Sequence, residues 1–176
     1  MKNFLISICL PVVAFSLMFT SLFVNNSYAL KYGRSSYNSY SSYYNTHRLP
    51  PSKFFKHRII KIVYQLDSAS PKKWGRVIHH ITNSMAPFEY NPMKYHIELV
   101  LYGGGIKMGM KKFDKKFKST LQSLVTYGLK IRACHNTMVG MHITIPMLFP
   151  FVKVVPAGVL EIARKEMQGY AYEVGP

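Results

Sequence analysis

The sequence predicts an α/β fold of three layers, a mainly parallel five-stranded sheet with helices on both faces. Three observations carry this. Short apolar runs alternate with stretches of helical period from about residue 57 onward. The strand-like runs end in glycine, proline or a small polar turn. The 176-residue length suits one domain and is short for two.

The elements follow in order. The first strand is built on Ile60, Ile62 and Val63 and runs to Leu66. Ser70 suits an N-cap, with Pro71 at the first helical position. Trp74, Val77, Ile78, Ile81 and Met85 then recur at helical spacing up to Pro87. His79 and His80 are neighbours and point different ways, so they read as surface residues, not as a ligand pair. A second strand covers residues 96–102 and ends in Gly103-Gly104-Gly105, a tight turn expected to line a small pocket. A phosphate loop would need Gly-Lys-Ser/Thr, which Gly105-Ile106-Lys107-Met108 does not supply.

A second helix is expected with Phe113, Phe117, Leu121, Leu124 and Val125 on one face and a solvated lysine cluster elsewhere. Gly128 stops it. The third strand, residues 129–134, puts Ile131 and Ala133 on one face and Lys130, Arg132 and Cys134 on the other. That polar face predicts an edge or partly open position. A fourth strand covers residues 151–155. Pro156-Ala157-Gly158 then opens a last helix with Val159, Ile162, Ala163 and Met167. Gly169 ends it, and Tyr170-Ala171-Tyr172 is a short final strand.

Two segments precede this domain of residues 57–176. Residues 4–24 carry no charge, and Ser27 and Ala29 fit signal-peptidase spacing. Residues 1–29 therefore read as an export signal, which places the protein in the periplasm or another extracytoplasmic space. The run is also long enough for an uncleaved anchor, in which case the protein is held at a membrane. Residues 30–56 are rich in Ser and Tyr, and residues 31–54 hold four basic residues and no acid, a flexible tail.

Charge and cysteine usage exclude several functions. Lys and Arg number 23 against 7 Asp and Glu, a formal charge of +16. The excess is dispersed, which argues against nucleic-acid binding in an exported chain. No carboxylate pair or metal-ligand spacing stands out, and no cofactor or metal is expected. With two cysteines there is no disulfide scaffold, and without Cys-x-x-Cys there is no dithiol cycle. Loss of residues 1–29 removes Cys9 and leaves Cys134 alone.

Ligands in such folds bind outside the C-terminal ends of the strands. Those ends hold Gln65 and Asp67, Gly103 to Gly105, Cys134 to Thr137, and Pro156 to Gly158. Asn136 or Thr137 could cap a helix just after Cys134, whose thiolate its N-terminus would favour. Arg132 would add positive charge. A buried, inert cysteine is the alternative. His135 is adjacent in sequence and so a poor base for Cys134.

Cys134-His135-Asn136-Thr137-Met138 after a strand resembles the Cys-x-Asn-Thr motif of DsrE/DsrF-like proteins. The run from Val152 to Val159, the string Glu161-Ile162-Ala163-Arg164-Lys165 and the closing Gly169-Tyr170-Ala171-Tyr172 resemble the same family. The resemblance spans about residues 57 to 176. It implies a parallel-sheet fold assembled as homo-trimers or homo-hexamers, and a link to sulfur metabolism. It also implies a persulfide on Cys134, filled by a sulfane-sulfur donor and emptied by a partner thiol. Gly103, Gly104, Gly105, Arg132, Asn136, Thr137, Pro156 and Gly158 would form the pocket. The chain departs from the tRNA-thiolating branch, where small residues and an Arg pair follow the cysteine. The rival expectation is a non-catalytic oligomeric binding or assembly module with a structural Cys134.

Overall fold

Period-two alternation builds a sheet with two unlike faces. The computed structural model describes residues 53, 55–113 and 116–175. The proposed signal, and the tail up to residue 52, lie outside the described residues. Five parallel strands are ordered β4-β3-β2-β1-β5. They are β1 (Ile60–Leu66), β2 (Tyr95–Leu101), β3 (Lys130–Cys134), β4 (Val152–Val155) and β5 (Ala171–Val174). Tyr64 and Leu66, then Tyr95, Ile97, Leu99 and Leu101, then Ile131 and Ala133 turn to one side and form the large core. Helix α1 (Pro71–Met85), helix α2 (Lys118–Thr126) and helix α3 (His135–Gly140) contribute to that core. Lys61, Val63 and Gln65, Glu98 and Val100, and Arg132 and Cys134 turn to the other face. Helix α4 (Gly158–Met167) covers that face, with Val63, Val100 and Ile162 as a small second core. The connection through α4 carries the chain back over the sheet to set β5 beside β1.

Trp74, Val77, Ile78, Ile81 and Met85 of α1 are all buried, as their spacing predicts. Pro71 opens the helix and Ser70 holds the cap position, but the Ser70 side chain makes no cap hydrogen bond. Instead the Trp74 indole donates to Ser68 O at 2.7 Å. Gly128 and Gly169 follow α2 and α4 at φ +97° and +79°, a conformation that ends a helix cheaply only with glycine.

Three expectations fail for tertiary reasons. The second helix begins at Lys118, so Phe113 lies outside it and is exposed. Residues Gly103–Gly109 form a 3-10 helix instead, and Met110 pairs antiparallel with Leu148. Second, β3 is not an edge, since β2 and β4 flank it; of its polar face Cys134 is buried and Arg132 half-buried, and only Lys130 stays exposed. Third, α4 turns Gly158, Glu161, Ile162 and Lys165 inward and leaves Val159, Ala163 and Met167 exposed. A sheet face carrying Glu98 and Arg132 is matched by a charged helix stripe better than by an apolar one.

The glycine triplet is explained by close packing. A Cβ on Gly105 would lie 2.0 Å from Leu66 O, and one on Gly104 would lie 2.8 Å from Ala69 N. These glycines let the 3-10 helix lie against the β1–α1 connection. Gly105→Ala is expected to cost about 3 kcal/mol, read as a lower urea midpoint, because backbone must move.

Candidate functional site at the end of β3

Cys134 is the last residue of β3 and the N-cap of α3. It is 6% exposed. Asn136 and Thr137 are therefore the second and third residues of the helix and not its cap. Their N–H groups belong to the orphan set of a first helical turn. The Cys134 side chain makes no regular cap hydrogen bond. The negative sulfur gains more. Burial alone would push the Cys134 pKa up. The Thr137 hydroxyl and the N–H groups of Thr137, Gly158 and Asn136 outweigh burial and hold it below the ordinary thiol value. A six-residue helix contributes little macrodipole, so these individual donors are the physical cause.

Thr137 links two strand ends. Its Oγ1 accepts the Gly103 N–H at 3.1 Å. With that lone pair engaged, its hydroxyl hydrogen is free to point at the sulfur. Gly103 adopts φ +48°, which presents its N–H to Thr137. Gly158 opens α4 against the cysteine. A Cβ there would lie 3.3 Å from Cys134 Cβ and 3.2 Å from Tyr102 Cδ1. Gly158→Ala is thus expected to displace the N–H donor and slow thiol alkylation at neutral pH several-fold, with little loss of fold. An unchanged alkylation rate would remove Gly158 from the site.

The structure gathers some of the expected residues and separates others. Cys134, Asn136, Thr137, Gly158 and Gly103 converge. A side chain on Gly104 or Gly105 would meet the β1–α1 connection. Pro156 sits at an exposed bend. Arg132 shares the sheet face of Cys134, but its Nε is bound to Glu98 Oε2 at 3.2 Å. His135 is exposed. A cleft of about 420 Å³ lies elsewhere, at the start of β1 and β5 beside Phe55, Ile59 and Phe88.

Two groups escape a reading from spacing. The first is Tyr102, whose hydroxyl donates to Gln65 Oε1 at 2.6 Å, where the Tyr172 hydroxyl also donates. Tyr102 packs close to Gly158, as Cys134 does. The second is a buried charge network. Glu98, in the apolar run of β2, takes Arg132 and also Lys165 Nζ at 3.2 Å. Glu161 takes Arg164 at 2.9 and 2.5 Å and stands 3.9 Å from Lys165. Contrary to the expectation of scattered acids, Glu98 and Glu161 are a carboxyl pair. A carboxylate inside an apolar strand is the signal that a buried partner exists.

Fold and site define a parallel α/β protein with Cys134 set beside N–H and hydroxyl donors where the strands end. A model of the DsrE/DsrF-like family matches residues 60–172, and the chain belongs to that family. Membership points to a role of the sulfur-relay kind. Among solved structures, the chain is similar to MTH1491, a protein of unknown function from Methanobacterium thermoautotrophicum. The two are 26% identical, and the match covers 65% of this chain and 98% of that one, with a TM-score of 0.59. A comparison with curated proteins gives no significant match.

Proposed function

We infer that the protein is an exported sulfur carrier that holds sulfane sulfur on Cys134. The observation that supports this best is the set of donors converging on the Cys134 sulfur. They favour the thiolate, which is the nucleophile in sulfur transfer. With thiosulfate, the thiolate attacks the outer sulfur, the S–S bond breaks, and sulfite leaves with the bonding pair. The product Cys–S–S⁻ keeps one negative charge, which the same N–H groups can receive. An acceptor thiolate then attacks the terminal sulfur and restores the Cys134 thiolate. No external oxidant or reductant is consumed. The donor and acceptor are a small sulfane-sulfur species and a partner thiol, and the working form is a homo-trimer or homo-hexamer.

Intact mass after incubation with thiosulfate or polysulfide tests this. One added sulfur atom on the wild type, removed by excess thiol and absent from Cys134→Ser, is the expected result. An adduct that survives Cys134→Ser defeats the reading.

The low exposure of Cys134 favours one alternative, a non-catalytic assembly module with a structural cysteine. Alkylation separates the two. The carrier labels in its native state at neutral pH; the structural cysteine labels only after denaturation.

A further inference from the structure

We propose that the surface bearing Phe113, Ile145 and Met147, beside Lys107, Lys111 and Lys112, docks on an anionic lipid bilayer. It does not depend on the Cys134 chemistry.

Two segments distant in sequence are tied side by side here. Met110 pairs antiparallel with Leu148, and the Lys111 N–H donates to Met147 O at 3.0 Å. The Lys111 ammonium donates to Pro146 O at 2.7 Å. Phe149 N–H donates to Gly109 O at 2.9 Å. Along this seam apolar side chains face water: Phe113 is 46% exposed, Ile145 67% and Met147 45%. Ile145 and Met147 belong to a one-turn 3-10 helix that buries none of its residues.

The charges described beside Phe113 are lysines. Lys111, Lys112 and Lys116 are exposed. The ammonium groups of Lys107 and Lys112 stand 5.3 and 5.7 Å from the Phe113 ring centre. Between Glu98 and Glu161 the sequence holds nine Lys and Arg and a single acid, Asp114. Arg132 is the member of this set that Glu98 neutralises.

The partner follows from this mixture. Clustered lysines attract an anionic surface, and exposed aromatic and aliphatic side chains gain by entering its headgroup boundary. A nucleic acid would satisfy the lysines but give Ile145 and Met147 nothing apolar to bury against. A second copy meeting this face with the same face would bring the same positive rim and be repelled. An anionic bilayer satisfies both halves of the surface.

The test uses the full chain as its host processes it, carrying Phe113→Trp as a local reporter. Trp74, the natural tryptophan, is buried and adds a constant background. Vesicles of phosphatidylglycerol and phosphatidylcholine should shift the emission to the blue, and high salt should reverse the shift. Phosphatidylcholine alone should give none. Lys107→Glu with Lys112→Glu should weaken binding at least about 30-fold. Ile145→Ser should weaken it while leaving its salt dependence in place. Thermal melting confirms that each variant is folded, and the paired Gln variants replace the Glu pair if it is not. Three results would overturn the proposal: no shift with phosphatidylglycerol, an equal shift with phosphatidylcholine alone, or a shift that instead follows protein concentration or added oligonucleotide.

Discussion

Glu98→Ala is expected to destabilise the protein by about 3–5 kcal/mol, read as a fall in the urea midpoint. The Glu98 side chain is 1% exposed and receives both Arg132 Nε and Lys165 Nζ at 3.2 Å. Removing it leaves two buried donors without their shared acceptor. It also unties β2 from β3 and from α4 at one point. A cost under about 1 kcal/mol would show that water or Glu161 replaces it.

Glu98→Gln should cost much less. Burial pushes the Glu98 carboxyl up, contact with Glu161 pushes it further, and Arg132 and Lys165 pull it back without reversing the direction. Its Oε1 has no hydrogen-bond donor opposite it. A proton on that oxygen turns it into a donor toward Glu161. Glu161 shifts the other way: burial raises it, but Arg164, Glu98 and Lys165 hold it below the usual carboxylate value. The signs follow. Stability from Glu98 is full below its unfolded pKa and is lost as pH rises through the raised folded value. Stability from Glu161 is present above its unfolded pKa and is lost as pH falls through the lowered folded value. Glu98→Gln should therefore flatten the alkaline side of the pH–stability profile in this range and keep the acid side. A profile unchanged on the alkaline side would mean that Glu98 is already ionised.

Thr137→Val is expected to lower the rate of Cys134 alkylation at neutral pH about tenfold. Valine keeps the shape, loses the hydroxyl that supports the thiolate, and leaves the Gly103 N–H without its acceptor. In the wild type the thiolate persists below the pH at which an ordinary thiol titrates, and reactivity falls as pH drops through the lowered value. In Thr137→Val that fall should move to higher pH. Thr137→Ser should behave like the wild type. The stability cost should be about 1 kcal/mol, so folding and reactivity can be told apart. A pH profile identical to the wild type would show that the backbone N–H groups suffice.

Much of the architecture is legible in the chain because its signals are local. Strand alternation from Ile60 to Leu66, the helical recurrence from Trp74 to Met85 and the glycine stops at Gly128 and Gly169 depend on backbone period and φ alone. Phe113 misleads because its spacing to Phe117 and Leu121 is helical. The preceding glycines, however, hold Gly103–Gly109 against the β1–α1 connection, and Met110 is drawn to Leu148. Arg132 misleads in another way. A charged residue on a strand reads as exposed, unless an acid from the next strand and a lysine from a distant helix are known to meet it.

The sequence by itself determined the order and type of most elements, and it put Cys134 at a strand terminus. Those facts follow from periodicity and turn chemistry within a few residues. The tertiary structure decided what surrounds the sulfur. Gly103 opens the 3-10 helix after β2, Asn136 and Thr137 lie in the first turn of α3, and Gly158 opens α4. Only parallel strands, which finish side by side at one edge of the sheet, bring groups so far apart in the chain onto one atom.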